Sequence, residues 1–182
     1  MSNYLYVAKI VSSTSVDGVG LRNSLYVSGC NLHCLGCHNK EWWPLKSGRK
    51  MTVEEVYAAL NTDNFNISIL GGEPLMQYPA ILELCQLIKE RTGKTIWLWT
   101  GYEIIQVQDS FGDLINYVDV IVDGAFKEDL RDTSLSFRGS KNQRIYEIVH
   151  NPEICVTDIS DMFVQCKISV SYTHLTLPTK LE

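Results

Sequence analysis

The chain of 182 residues is 45% hydrophobic and 20% charged, and its formal net charge is -5. This length and apolar fraction are typical of one globular domain with a sizeable core, and they exclude a disordered chain or a disulfide-dependent miniprotein. Its 16 lysines and arginines are outnumbered by 21 acidic residues. We therefore expect no nucleic acid partner, because binding to a phosphate backbone needs a concentrated basic surface.

The apolar runs and the first ten residues indicate in which compartment of the cell we expect the protein. The runs are far shorter than the roughly 20 residues that cross a bilayer, so we expect no membrane partner. The first ten residues lack the basic segment and long apolar stretch of a signal peptide. We therefore expect a cytoplasmic protein whose six cysteines are reduced. In such a protein an uneven cluster of cysteines indicates metal or redox chemistry and not disulfide bonds.

Hydrophobic periodicity predicts strands alternating with helices. In chain order we predict a strand at 21–28, a helix at 52–61, a strand at 66–70, a helix at 79–92, a strand at 95–100, a helix at 102–108 and a strand at 118–122. The first helix begins with a capping box, Thr52 and Glu55. Short connections between alternating elements predict an α/β fold with a mostly parallel sheet and helices packed outside it.

The alternation becomes hard to follow after residue 150. We therefore predict a working domain at 1–150 and a C-terminal tail at 151–182. Apolar and polar residues alternate from Lys167 to Thr173, as in an edge strand, but the segment at 171–182 looks like a non-native extension. The sequence leaves open whether residues from about 167 onward are native.

Three cysteines are clustered directly after the first predicted strand. Cys30, Cys34 and Cys37 have the spacing C-x3-C-x2-C, and such soft thiolate ligands select zinc or an iron-sulfur cluster. One interpretation is structural zinc completed by His33 or His38. The other is a 4Fe-4S cluster held by three ligands, which leaves one iron open.

Further motifs follow the other predicted strands. Gly71-Gly72-Glu73-Pro74 follows the second strand, Gly101-Tyr102 the third and Asp123-Gly124 the fourth. The carboxyl ends of parallel strands meet at one edge of a sheet, where ligands bind on the loops. We therefore expect these loops and the cysteines to form one site.

Taken together, the motifs resemble those of the activating proteins of anaerobic ribonucleotide reductases, a family of radical S-adenosylmethionine enzymes. The resemblance covers residues 4 to 146. It is carried by DGVGLR at 17–22, VSGCN at 27–31, CHN at 37–39, GGEP at 71–74, WTGY at 99–102, VDGAF at 122–126 and FRGSKNQR at 137–144. Gly36 stands where most radical S-adenosylmethionine enzymes carry an aromatic residue, but glycine is similar to the pattern of the reductase activators.

The resemblance implies a fold and a reaction. The fold would be an incomplete β/α barrel of the radical S-adenosylmethionine type. A 4Fe-4S cluster on Cys30, Cys34 and Cys37 would cleave S-adenosylmethionine reductively, and the 5′-deoxyadenosyl radical would generate a glycyl radical on anaerobic ribonucleoside-triphosphate reductase. The enzyme would be an oxidoreductase of the [formate-C-acetyltransferase]-activating type. Its partners would be the large reductase subunit and a small electron donor of the flavodoxin or ferredoxin type.

The resemblance also implies which residues bind S-adenosylmethionine. Glu73 would accept hydrogen bonds from its ammonium group, and no catalytic acid or base is assigned. The expected contacts are Gly36, Cys37, His38, Gly71, Gly72, Glu73 and Thr100.

Several alternatives stay open at this point. The protein could activate another glycyl-radical enzyme, such as pyruvate formate-lyase, or it could be a non-enzymatic zinc-binding module. We interpret Cys85 as a core residue and Cys155 and Cys166 as incidental thiols. The positive charges of the 137–144 segment indicate either a solvated face or a docking surface.

Overall fold

The structure, a computed structural model, describes residues 4–163 as one eight-stranded sheet with three α-helices. The strands are β1 Tyr4–Thr14, β2 Arg22–Val27, β3 Arg49–Thr52, β4 Asn66–Gly71, β5 Ile96–Trp99, β6 Val120–Asp123, β7 Arg144–His150 and β8 Ile154–Asp158. The helices are α1 Val53–Leu60, α2 Tyr78–Arg91 and α3 Ile104–Phe111. All seven elements predicted from the sequence are therefore confirmed.

The sheet is mixed, with the strand order β3-β1-β2-β4-β5-β6-β7-β8. The central strands β2, β4, β5 and β6 are parallel, but four of the seven pairings in the sheet are antiparallel. The predicted α/β class is confirmed, whereas a mostly parallel sheet is wrong. The flanking strands were not predicted from the sequence. Strands joined by a reversal too short for a crossover helix, such as β7 and β8 with only residues 151–153 between them, pair antiparallel.

The capping box at the start of α1 forms as predicted. The hydroxyl oxygen of Thr52 accepts the amide hydrogen of Glu55 at 3.2 Å, and the Glu55 carboxylate accepts the amide hydrogen of Thr52 at 2.7 Å. These two bonds satisfy donors that have no partner within the helix. The helix therefore begins where the chain leaves β3.

Apolar side chains of the central strands pack against α1 and α2. Leu25 of β2, Ile69 of β4 and Leu98 of β5 are fully buried, together with Ile81 and Leu84 of α2. A second cluster of buried residues is formed by Trp97, Val120, Val122 and Ile145. The parallel strands are thus held rigidly, and their carboxyl ends present loops at a fixed edge.

The sheet continues beyond residue 150, because β8 pairs with β7. The division at residue 150 stays a prediction. Cys166 and the predicted edge strand at 167–173 lie outside the described residues. Within residues 4–163, none of the helices is long and apolar enough to cross a membrane.

Candidate metal centre and cofactor site

A cavity of about 210 Å³ opens at the carboxyl ends of the four parallel strands. It brings together the loops that follow these strands, as the parallel order requires. Its lining residues are Tyr26, Cys30, Leu32, Cys34, Cys37, Asn39, Trp43, Leu70, Gly71, Gly72, Glu73, Trp99, Thr100, Gly101, Gly124, Ala125, Phe126 and Gln143. All three clustered cysteines therefore face one space.

The cysteine loop is fixed at its base by backbone hydrogen bonds. The amide of Gly29 donates to Trp42 O at 2.7 Å, and the amide of Cys30 donates to Trp43 O at 2.9 Å. The amide of Glu73 in turn donates to Gly29 O at 2.7 Å. The start of the loop is thus attached both to the segment that follows it and to the loop after β4.

The environment of the three thiols is set by burial and by the backbone around them. The amide of Asn39 donates to the Cys37 sulfur at 3.4 Å. Burial raises the pKa of Cys30 and of Cys34, and the nearby backbone of Leu32 and His33 for Cys30, and of Phe126 for Cys34, opposes the rise. Metal binding must therefore displace protons from these thiols.

Neither histidine of the loop lines the cavity. His33 and His38 are exposed, and the ring of His33 packs edge-on against Trp43 at 4.6 Å between centroids. In the described part of the chain, no three His, Cys, Asp or Glu side chains are arranged to hold a metal ion. The structure therefore does not bring a histidine to the thiols.

The two glycines after β4 allow the backbone to pack closely. Gly71 has a φ of +113°, and a Cβ there would lie 2.6 Å from Val27 N. A Cβ on Gly72 would lie 2.3 Å from Gly29 O. Such distances exclude any side chain, so both glycines are needed to seat the loop against β2 and the start of the cysteine loop.

Glu73 joins the loops that follow β4 and β5. Its carboxylate is 1% exposed and accepts hydrogen bonds from Leu75 N at 2.9 Å, Thr100 Oγ1 at 2.8 Å and Gly101 N at 2.8 Å. Burial raises the pKa of Glu73, and the three hydrogen bonds oppose that rise. A carboxylate has about four acceptor positions, so one remains for a ligand.

Two other predicted contacts lie outside the cavity lining. Gly36 has a φ of +77° and lies against the side chains of Glu128 and Phe126. His38 is exposed. Asp123, at the end of β6, accepts hydrogen bonds from Ile104 N at 2.7 Å and Arg144 N at 3.1 Å, and therefore holds the starts of α3 and β7.

The region of this chain that is similar to known proteins contains this site. A family model described as a 4Fe-4S single cluster domain matches residues 16–146. An anaerobic ribonucleoside-triphosphate reductase-activating protein of Salmonella typhi is 42% identical over 142 residues, covering 73% of this chain and 92% of the relative. The proteins of that name from Escherichia coli (strain K12) and Vibrio cholerae are 39% and 41% identical, over 73% and 72% of this chain and 92% and 90% of their own lengths.

The chain belongs to the family of anaerobic ribonucleoside-triphosphate reductase-activating proteins. The resemblance drawn from the motifs is thereby confirmed. The 4Fe-4S match at 16–146 spans the three thiols, Glu73 and Thr100.

Several residues of the cavity in this activating-protein family member were not predicted from its sequence. Tyr26 lines the cavity, and its hydroxyl donates to the Asp17 carboxylate at 2.6 Å. Burial, and next the hydrogen bond to Asp17, raise the pKa of Tyr26. Phe126 and Gln143 also line the cavity. Their motifs, VDGAF and FRGSKNQR, were recognised, but sequence alone assigned neither residue a contact.

Proposed function

We propose that the chain is a radical S-adenosylmethionine activase. It holds a 4Fe-4S cluster, cleaves S-adenosylmethionine reductively and generates a glycyl radical on an anaerobic ribonucleoside-triphosphate reductase. The observation that carries this proposal is the position of the Cys30, Cys34 and Cys37 thiols, which open into one cavity inside the matched 4Fe-4S domain. The relatives are named as activators of that reductase.

The donor set fits such a cluster. Three soft thiolates would bind three of its four irons, and the amide of Asn39, which already donates to the Cys37 sulfur, would stabilise its negative charge. When bound, the cluster supplies one electron to S-adenosylmethionine and an open position for it. The protein supplies binding, orientation and exclusion of water.

Residues of the cavity wall would orient S-adenosylmethionine. Glu73 would use its remaining acceptor position for the ammonium group of S-adenosylmethionine. The hydroxyl of Thr100 donates to the Glu73 carboxylate and holds it in place. Gly72 and Gly101 expose backbone in the wall. The buried indole nitrogen of Trp43, which lines the cavity, has no partner among the described residues and can donate to a polar group of a ligand.

Family membership helps to choose between the reductase activase and the two alternatives left open by the sequence, an activase of another glycyl-radical enzyme and a zinc-binding module. It favours the reductase over pyruvate formate-lyase as the partner, and the 4Fe-4S match favours a cluster over structural zinc. Three further points remain parts of the proposal. They are the oxidoreductase class of the [formate-C-acetyltransferase]-activating type, the cytoplasmic location and the flavodoxin- or ferredoxin-type electron donor.

The proposal is tested by reconstituting the protein anaerobically with iron and sulfide. We expect the wild type to bind a cluster and, once reduced, to convert S-adenosylmethionine into methionine and 5′-deoxyadenosine. Replacing Cys30, Cys34 or Cys37 by alanine should reduce cleavage to background, because each is a cluster ligand. Iron and sulfide content and the two products are measured.

Cys85→Ala is the matched control. Cys85 is fully buried in α2, and burial raises the pKa of its thiol to about 12, so it is a core residue and not a ligand. This variant should keep the cluster and the cleavage activity. A colourless wild type that retains zinc and never cleaves S-adenosylmethionine, or equal losses in all four variants, would overturn the proposal.

A further inference from the structure

A second cavity adjoins the one that holds the three thiols. Its volume is about 290 Å³, and it lies between the start of α3, the segment after β6 and the start of β7. Charged side chains from all three places line it, namely Glu103, Asp123, Lys127 and Arg144. We call this second cavity the side groove. None of these four residues lines the cavity with the thiols.

A ridge of small residues separates the side groove from the cavity with the thiols. Gly101, Gly124 and Ala125 line both spaces, so the ridge consists almost entirely of backbone. The amide of Gly124 donates to Tyr102 O at 3.1 Å, and Gln143 Nε2 donates to Gly124 O at 2.9 Å. These bonds fix the ridge, and its lack of long side chains leaves room for an extended peptide to cross from one space into the other.

The acidic groups of the side groove are compensated by the fold itself. Asp123 is 4% exposed, and its two carboxylate oxygens accept Ile104 N at 2.7 Å and Arg144 N at 3.1 Å. Glu103 directly precedes α3, where the positive end of the helix dipole stabilises a carboxylate. Neither acidic group therefore needs a cation from outside.

The basic groups of the side groove have no such compensation. Lys127 and Arg144 are exposed, and each uses its backbone amide for a hydrogen bond, to Ser140 Oγ and to the Asp123 carboxylate respectively. Within residues 4–163, neither the Lys127 ammonium nor the Arg144 guanidinium forms a hydrogen bond or an ion pair. Two unpaired cations in one groove favour a ligand with a negative charge.

The three charges of the 137–144 segment have different roles. Arg138 donates to Gln143 O at 3.3 Å and to Ser160 O at 2.9 Å, so its guanidinium holds the segment itself together. Lys141 is exposed, lies 3.6 Å from Asp132 and lines neither cavity. Of the three, Arg144 alone faces the side groove. A docking role for this segment therefore falls on Arg144.

The side groove also offers one apolar contact. Ile105, in the first turn of α3, lines the groove and is 64% exposed. A single exposed isoleucine is ordinary on a protein surface. Beside two unpaired cations, however, it adds a surface against which the aliphatic part of a peptide can pack.

We propose that the side groove receives the segment of the reductase that carries the glycine, as an extended peptide with an acidic side chain bound by Lys127 and Arg144. This proposal rests on the proposed function, which requires that glycine to enter the cavity with the thiols. The ridge of small residues provides a path into that cavity. Charge pairing in the groove would set the position of the peptide along the path.

The test measures how much cognate reductase is needed for half-maximal formation of the glycyl radical. Lys127→Glu and Arg144→Glu should each raise this concentration at least about tenfold, because they replace attraction by repulsion. Ile105→Ala should raise it by less. S-adenosylmethionine cleavage without the reductase should stay at the wild-type rate in all three variants, since none of these residues lines the cavity with the thiols.

Lys141→Glu is the matched control. It changes the net charge by the same amount on the same side of the sequence motif but outside the side groove. We expect it to activate the reductase at the wild-type concentration. An effect as large as that of Arg144→Glu would show general attraction between the two proteins and would overturn the proposal.

The remaining outcomes separate this proposal from the proposed function. A wild type that cleaves S-adenosylmethionine but never forms the radical on the reductase would overturn the proposed function. A wild type that forms it, with Lys127→Glu and Arg144→Glu equally effective, would overturn the role of the side groove alone. Loss of S-adenosylmethionine cleavage without the reductase in Lys127→Glu would assign the groove to the cofactor and would also overturn it. If Arg144→Glu does not fold, Lys127→Glu against Lys141→Glu decides.

Discussion

Glu73 shows how a single residue can serve both the fold and the site. Its buried carboxylate accepts three hydrogen bonds, two of them from Thr100 and Gly101 after the neighbouring strand. The sequence predicted a contact to an ammonium group at this position. It could not predict the bonds to Thr100 and Gly101, because they depend on the pairing of β4 with β5.

The raised pKa of Glu73 predicts a pH effect on stability. Its usual value is 4.5, and burial is the largest cause of the rise in the folded state. Above pH 4.5 the unfolded chain loses this proton first, so the folded state binds more protons and its stability falls as the pH rises toward the folded pKa. Glu73→Gln removes this contribution.

We therefore expect the wild type to lose stability relative to Glu73→Gln as the pH is raised from 4.5 toward neutrality. The measurement is the free energy of unfolding of both proteins in urea across this range, without cluster. A difference between the two proteins that stays constant with pH would show that the Glu73 carboxylate is not held in the buried environment described above.

The three clustered cysteines and Phe126 differ in how far the sequence could identify them as parts of one site. Cys30, Cys34 and Cys37 lie within eight residues, so their spacing alone indicates a shared site. Phe126 lies 92 residues after Cys34, and it reaches the same cavity only through the sheet. Local patterns carry no information about such contacts.

At the scale of elements, Arg22 ties the central strands together at the edge opposite the cavity. Its Nε donates to Ser68 Oγ at 2.7 Å, and its Nη2 donates to Ile67 O at 2.6 Å and Thr95 O at 3.1 Å. The guanidinium lies over the Trp97 ring at 5.4 Å, and burial lowers the pKa of Arg22 to about 10. The arginine of the DGVGLR motif therefore stabilises the sheet.

Arg22→Lys should destabilise the fold by about 1–3 kcal/mol, because a lysine ammonium cannot reproduce the planar fork and leaves buried acceptors unpaired. The free energy of unfolding in urea measures this loss. Arg91→Lys is the control, since Arg91 forms an exposed pair with Glu54 and should change stability by no more than about 0.5 kcal/mol. Equal effects of both substitutions would contradict the role of Arg22.

Burial explains part of the accuracy of the element predictions. The four parallel strands and three helices carry strong apolar patterns, and all were predicted. β1, β3, β7 and β8 were missed. β3 and β8 are largely exposed, so their residues show little hydrophobic periodicity, and their strand conformation depends on pairing with a neighbour.

At the scale of the whole molecule, a parallel centre flanked by antiparallel strands leaves one edge for the site. The three thiols, the glycine turn after β4 and the segment around Phe126 all meet at that edge. Motif order in the sequence predicted this convergence. The orientation of the flanking strands was not predicted, because the flanking strands themselves were missed.

Activation of the reductase is tested most directly by electron paramagnetic resonance. The cluster-loaded protein is reduced and mixed with S-adenosylmethionine and its cognate anaerobic ribonucleoside-triphosphate reductase, with pyruvate formate-lyase as the control partner. We predict a glycyl radical signal on the reductase and none on pyruvate formate-lyase. A signal only on pyruvate formate-lyase, or no signal on the reductase while S-adenosylmethionine is cleaved, would contradict the proposed function.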